Sequence, residues 1–460
     1  MTDIEFAWSA LGGDPALAGR VTTVEREGAL AARLPVRRLA RACVGACALA
    51  AAELGALRAG LTVPPPVVVD DGAVAAAFHS ERLLRVDGRQ PVSFAPLSGF
   101  WRTSDGWVRT HANYPHHRAA LLAALDLPED AAVEDAAARL AGRTALEAEE
   151  AVYGAGGLAV ALRTPAEWAA HEQSAELALR PLVESGRLGE AHARVLPPLD
   201  AAGAGLLPAA GLRVLDLTRV LAGPVATRTL GFLGADVLRL DAPHLPELAD
   251  QHADTGFGKR SAVLDLATAA DTFEKLLDSA DVVVTGYRPG ALDRFGLSPE
   301  ALAERRPGLI VAQVSAWGAY GPWRGRRGFD SLVQVATGIA ATEGSPGAPG
   351  ALPAQALDHG TGYLLAAAVL RAVTERSYDG YGRWVRLALA RTARWLTEEA
   401  GPAGAAGAAA GYEGPDAWLA ETDSRVGRLR YALPPVSFAG GPADWSRTPV
   451  PWGSDAPAWS

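Results

Sequence analysis

From Gly211 onward, short apolar runs alternate with longer mixed stretches. RVLDLTRV, ADVLRLD, SAVLDL, ADVVVTGY and LIVAQVSAWG read as strands, rich in the β-branched and aliphatic residues that a half- or fully buried sheet takes up. Between them, ATRTLGFLGA reads as a helix closing on glycine, TAADTFEKLLDSA as a second helix, and SPEALAERRP as a capped third. Strands alternating with helices of about 10–15 residues predict βαβ units and a parallel sheet. On such a sheet, ligands bind where loops converge at the carboxyl ends of the strands. Residues 343–356 form a Gly/Pro/Ala loop, HGTGYLLAAAVLRAVTE a helix, and GRWVRLALART a strand that enters another helix.

The first 208 residues have a different texture. An Ala-rich helix is expected at 37–60, a strand at PVVVDD, and a compact α+β stretch from about 88 to 190. That stretch carries SDGWVRTHANY and helices through ALLAALDL, EDAAARLAGR and TPAEWAAHEQ. LAAAEL at 49–54 matches LAAAVL at 365–370, and the same offset sets Ala42 opposite Asp358. The expected fold is α/β, a Rossmann-like parallel sheet domain with a smaller α+β domain N-terminal to it. Its parts are 1–87, a truncated, degenerate copy of part of the large domain; 88–205, the small domain; 206–397, the sheet domain; and 398–460, a linker and wrapping segment. Residues 398–416 are Gly/Ala-rich, as a loose linker would be, and 430–460, rich in Pro, Trp and Gly, is expected to wrap as coil.

Composition narrows the function classes. With 460 residues the chain is long enough for two or three domains, and 49% hydrophobic with 21% charged residues is a globular balance. A net charge of -9 argues against a nucleic-acid partner. Cys43 and Cys47 read as buried small hydrophobes. The N-terminus MTDIEFAWSA has no charged-then-apolar leader, and the Ala-rich stretches look too interrupted to span a bilayer. A cytoplasmic protein with no membrane partner is the expectation.

Six blocks carry the chemistry: residues 211–241 (GLRVLDLTRVLAGPVATRTLGFLGADVLRLD), GKRSAVLDL, GYRPGALDRFGL, SAWGAYGPW, GFDSLVQVATG and ALDHGTGYLLAAAVL. In order and spacing they resemble family III CoA-transferases, a superfamily that also holds acyl-CoA racemases. DGWV followed by TPAEW resembles the family's small domain, which normally follows the sheet domain. Family members form interlocked dimers, so the resemblance implies either a pseudo-dimer within one chain or a homodimer.

The resemblance makes Asp358 the nucleophile, attacking an acyl-CoA to give a mixed anhydride and then an aspartyl-CoA thioester. CoA thioesters and carboxylic acids are the implied substrates, with no permanently bound cofactor and no metal. From local sequence alone Asp358 reads as a helix cap, and the resemblance reverses that reading. Gly360 and Gly362 are candidates for backbone approach to the reacting carbonyl. Arg294 is the family's phosphate-binding arginine, Lys259, Arg260 and Arg327 are further cations for CoA, and Tyr287 is placed to flank the adenine. His359 is expected to pack or lie at the surface.

The family pattern is departed from at Leu221, Ala242 and Gly286, which bears on CoA affinity. The turn after the first strand carries Gly223-Pro224 in place of G-x-G-x-x-G, against a dinucleotide. Phe329 stands where racemases keep a histidine, which disfavours the racemase alternative. A CoA-binding pseudoenzyme or partner subunit remains the other alternative. His111, His116 and His117 in THANYPHH are expected on a solvated loop without metal.

Overall fold

The computed structural model describes residues 1–189, 195–200, 205–345, 347–399 and 410–460. A seven-stranded sheet organises the chain. Its spatial order is Lys259–Val263, Asp236–Asp241, Arg213–Leu217, Val282–Thr285, Ile310–Ser315, Gly382–Ala388 and Glu184–Leu188. The first six are mutually parallel, and only Glu184–Leu188 runs antiparallel, against Gly382–Ala388. The order of the parallel strands reverses between Arg213–Leu217 and Val282–Thr285, so the loops leaving these two strands diverge and open a crevice.

Both faces of the sheet are covered, which is why its central strands Val282–Thr285 and Ile310–Ser315 are mostly apolar. Val214, Val237, Val282, Val284, Ile310 and Ala312 point to one core, shared with helices Val36–Ala59, Ala222–Phe232 and Ala356–Asp379. Leu215, Leu238, Val283 and Val311 point to the other, against Phe273, Leu276, Leu277 and Leu302 of helices Ala270–Leu277 and Pro299–Arg305. Ser298 caps the latter helix by accepting from Ala301 N at 3.2 Å.

Helix Val36–Ala59 lies along helix Ala356–Asp379, and the seam between them is nearly all Ala, Leu, Cys and Gly. It is followed by strand Val67–Asp70, paired in parallel with Val21–Val24, and by helix Asp71–Phe78. By length and composition Val36–Ala59 is long and apolar enough to cross a membrane, contrary to the expectation from interrupted runs, but 89% of its most apolar window is buried within the protein.

The small domain holds an antiparallel sheet of Phe100–Arg102, Trp107–Thr110 and Ala159–Ala161. Helices Pro115–Ala124, Val133–Ala141 and Ala145–Gly154 close over it around Leu121, Leu122, Leu140 and Val152. Its boundary differs from the expected 205. Glu184–Leu188 leaves the small domain and covers the otherwise open edge of the large sheet. The Gly/Ala linker falls mostly on 400–409, outside the described residues. After it, Leu419–Ser424 and Gly427–Ala432 form a hairpin against Arg85–Val86, so residues 430–432 are strand where coil was expected. Beyond the hairpin, isolated bridges join Phe438 to Val67 and Ser454 to Ala262.

Candidate active site

The loops at the crevice enclose a cleft of about 780 Å³. Leu217 to Gly223 follow the first strand, Leu240 to Leu245 the second, Leu264 to Leu266 the third, Gly286 to Phe295 the fourth and Val314 to Ala316 the fifth. Each is a carboxyl-end loop, as parallel topology requires. At the inner end of the cleft stands Asp358.

Asp358 lies in the first turn of helix Ala356–Asp379. It is not the cap: that position belongs to Gln355, whose side chain makes no capping bond. The helix start is satisfied instead from outside. Asp330, opening helix Asp330–Ala336, accepts from Leu357 N at 2.8 Å and Asp358 N at 2.9 Å through one carboxylate oxygen. Its other oxygen accepts from Gln334, whose own carbonyl oxygen accepts from Leu352 N at 2.9 Å. The N–H groups expected to greet the Asp358 carboxylate are therefore taken by a neighbouring aspartate, and among the described residues no hydrogen bond holds the Asp358 carboxylate itself.

Three carboxylates crowd this corner. Burial, then the charge of Asp330, then that of Glu81 push the Asp358 pKa well above the ordinary aspartate value. Burial lifts Asp330 to about 6 against the pull of its N–H donors. Glu81 comes from the N-terminal segment and bonds His359 Nε2 at 3.0 Å. Burial alone would raise Glu81, but the His359 hydrogen bond and charge outweigh it and hold Glu81 below the ordinary glutamate value. His359 is fully buried and stacks on Phe78 with centroids 5.1 Å apart, so of its two expected places the structure gives it packing.

The cations sort into two groups. Arg288, Arg294 and Arg327 line the cleft, and none has a carboxylate partner within ion-pair distance among the described residues. Burial, then the neighbouring positive charge of Arg288, lowers the Arg327 pKa, which is the environment an anion relieves. Tyr287 is on the same wall, beside Gly286 and Ala242. Arg219 also lines it, 4.9 Å over the Tyr114 ring and 3.7 Å from Glu247.

Lys259 and Arg260 do not line the cleft, which corrects their assignment. Lys259 is buried, with its Nζ 2.9 Å from Asp216 and 3.0 Å from Pro224 O. Burial lowers its pKa to about 8, even with Asp216 opposing. Arg260 faces the outer edge, paired with Asp236 at 2.8 Å and bonded to Ala458 O. Both lie on a strand of the sheet and not on its carboxyl-end loop, so their side chains lock the sheet to its helix and to the chain's end.

The glycines are corrected likewise. A Cβ on Gly362 would stand 2.6 Å from Ala222 O, and one on Gly360 3.3 Å from Cys43 Sγ. They let helix Ala356–Asp379 approach its two neighbours and do not cradle a carbonyl.

The strand loop after Arg213–Leu217 holds backbone strain. Val220 has φ +68, an uncommon conformation for a β-branched residue, and its N–H donates to Glu247 at 3.1 Å. Glu247 also binds Arg239 at 3.1 Å and accepts from the Tyr114 hydroxyl.

A second, smaller cavity of about 70 Å³ adjoins the first and shares Tyr114, Val220, Leu221, Phe329 and Asp358 with it. Its outer wall is Glu81, Arg82, Phe94, His111 and Asn113. His111 and His117 are thus buried, not on a solvated loop. Packing orders them: His111 stacks on Phe329 with centroids 3.9 Å apart and planes at 15°. Burial and the nearby Arg109 charge lower the His111 pKa to about 3, so it is neutral near pH 7. Among the described residues no group of three or more His, Cys, Asp and Glu has the arrangement of a metal site.

Residues 209–417 match the family model for CoA-transferase family III. A probable fatty acyl-CoA transferase of Mycobacterium tuberculosis is 36% identical over 198 residues, 40% of this chain and 50% of that protein. A formyl-CoA:oxalate CoA-transferase of Streptomyces coelicolor is 33% identical over 193 residues, 39% of this chain and 47% of that protein. A crystal structure of a Mycobacterium tuberculosis protein is 36% identical, with 41% of this chain and 57% of that one aligned at a TM-score of 0.39. The chain spans about half the length of the curated relatives it matches. Residues 209–417, which hold the six blocks and Asp358, are similar to CoA-transferase family III.

Proposed function

We propose that the protein transfers CoA between carboxylic acids with Asp358 as nucleophile. The observation that carries this is the position of Asp358, whose carboxylate has no hydrogen bond among the described residues, where a cleft lined by Arg288, Arg294 and Arg327 meets a smaller cavity. The arginines would hold the CoA phosphates, and the pantetheine arm would reach inward to bring the thioester carbonyl to Asp358.

The chemistry balances without an added base. An Asp358 oxygen attacks the thioester carbon, the C–S bond breaks, and CoA leaves as thiolate. The thiolate then attacks the aspartyl carbon of the mixed anhydride, releasing the donor carboxylate and leaving an aspartyl-CoA thioester. An acceptor carboxylate repeats both steps in reverse, and Asp358 is regenerated as carboxylate. Asp358 must be ionised to begin, and its raised pKa makes it a better nucleophile once ionised. Phe329, with no proton to move, supports transfer over racemisation.

The N-terminal part supports a fused pseudo-dimer. Helix Val36–Ala59, strand Val67–Asp70 and helix Asp71–Phe78 repeat the order of helix Ala356–Asp379, strand Gly382–Ala388 and helix Leu389–Arg394. Cys43 meets Gly360, so the two long helices touch near positions the 316-residue offset makes equivalent. Ala42 then stands where a second carboxylate would have been, leaving one site.

The test is trapping. The protein is incubated with a panel of acyl-CoAs, quenched with borohydride, and the Asp358 peptide is read by mass spectrometry. Reduction of that side chain is expected in the wild type and absent in Asp358→Asn. An unmodified peptide with acyl-CoA still bound would replace this reading by that of a CoA-binding pseudoenzyme.

A further inference from the structure

Resting on the transferase reading, the small chamber beyond Asp358 bears on which acids are used. With about 70 Å³, it holds on the order of four to five water-sized atoms. Phe94, Phe329 and Leu221 give it apolar walls, but four side chains in the wall carry a buried polar atom with no hydrogen bond among the described residues: His111 Nδ1, Ser331 Oγ, Glu81 Oε1 and Gln251 Nε2. An unsatisfied buried polar group costs about 1–3 kcal/mol, so these atoms favour a guest that bonds to them.

The charge in the wall says what kind of guest. Asp358, Asp330, Glu81 and Asp250 all face the chamber. Arg82 is the only Arg or Lys lining it, and it is engaged with Pro353 O at 2.6 Å and lies 3.6 Å from Glu81. Asp250 is held by Arg89. A second carboxylate on the acyl group would enter a surplus of negative charge, whereas a hydroxyl can donate to an acceptor and accept from a donor without adding charge.

We infer that the chamber of His111 and Ser331 is an acyl subsite for short hydroxy acids, of about four carbons, and that it excludes fatty and dicarboxylic acyl groups. The carbonyl stays at Asp358, and the hydroxyl reaches the His111 imidazole. Because the imidazole is neutral, it can serve as donor or acceptor according to its tautomer.

The experiment compares rates of borohydride-trapped Asp358 charging by 3-hydroxybutyryl-CoA, butyryl-CoA, octanoyl-CoA and succinyl-CoA in single turnover, using the full chain. The hydroxyl is expected to raise the rate at subsaturating donor about tenfold over butyryl-CoA, as one hydrogen bond would. Octanoyl-CoA and succinyl-CoA should be slower than butyryl-CoA by about a hundredfold. In His111→Ala the charging rates of 3-hydroxybutyryl-CoA and butyryl-CoA should become equal.

Equal rates for butyryl and 3-hydroxybutyryl donors, or faster charging by octanoyl-CoA or succinyl-CoA, would overturn the inference. The wild-type panel decides this even if His111→Ala does not fold. Failure of every donor to charge Asp358 would count against the transferase reading instead, so the two failures are distinct.

Discussion

Replacing Asp330 by Asn should make Asp358 easier to ionise. Asp330 does two things to its neighbour: it anchors the backbone N–H of Leu357 and Asp358, and its charge raises the Asp358 pKa. Asparagine keeps a carbonyl oxygen for the N–H groups but removes the charge. Downgrading charge-assisted bonds to neutral ones costs about 1–2 kcal/mol of stability, within reach of a urea titration. Removing a like charge from a shared buried site should lower the Asp358 pKa toward the ordinary aspartate value.

The assay is a 13Cγ-aspartate NMR titration of wild type, Asp330→Asn and Asp358→Asn, the last identifying the Asp358 resonance. The stability profile checks the same physics. Both carboxyls bind protons more tightly in the folded chain than at the ordinary value of 3.8. Their contribution is therefore fully present below that value and is lost as pH rises through the raised ones. In the variant this loss should be smaller between pH 4 and 6. An Asp358 midpoint that stays put or rises in Asp330→Asn would refute the reasoning.

Other substitutions separate site from scaffold. Lys259→Met should cost about 3–5 kcal/mol in chemical denaturation, because it leaves buried Asp216 without its cation, while the KM for acyl-CoA of the folded enzyme stays near wild type. Arg294→Ala should do the opposite, raising that KM roughly tenfold in a salt-sensitive way with an unchanged melting curve. Gly362→Ala should destabilise by about 1–3 kcal/mol, read as a lowered Tm, since its methyl would meet Ala222 O.

Much of the sheet was legible because its signal is local. The runs from RVLDLTRV to LIVAQVSAWG are apolar on both faces, and each became a strand in the order that βαβ units dictate. Asp358, Arg294, Tyr287 and Arg327, singled out in the sequence, line one cleft. What escaped was set by contacts distant in the chain. Lys259 reads as a free cation until Asp216 is found beneath it. Gly360 and Gly362 read as loop chemistry until two helices are seen against them. Asp330 was visible beside Phe329, yet its grip on the Asp358 helix depends on how two helix starts meet. His111 lies in a polar run, and nothing in that run announces the aromatic face of Phe329, more than two hundred residues on. Glu184–Leu188 has no strand pattern; an open sheet edge recruits it.

The wall of the small chamber, from Glu81 to Tyr114, is carried on the same polypeptide as Asp358. Two halves that must find each other by diffusion lose their shared cavity on dilution, whereas halves joined by peptide bonds hold it at any protein concentration. Specific activity measured from micromolar down to low nanomolar enzyme should therefore remain flat, and a decline on dilution would show that a second copy of the chain completes the site.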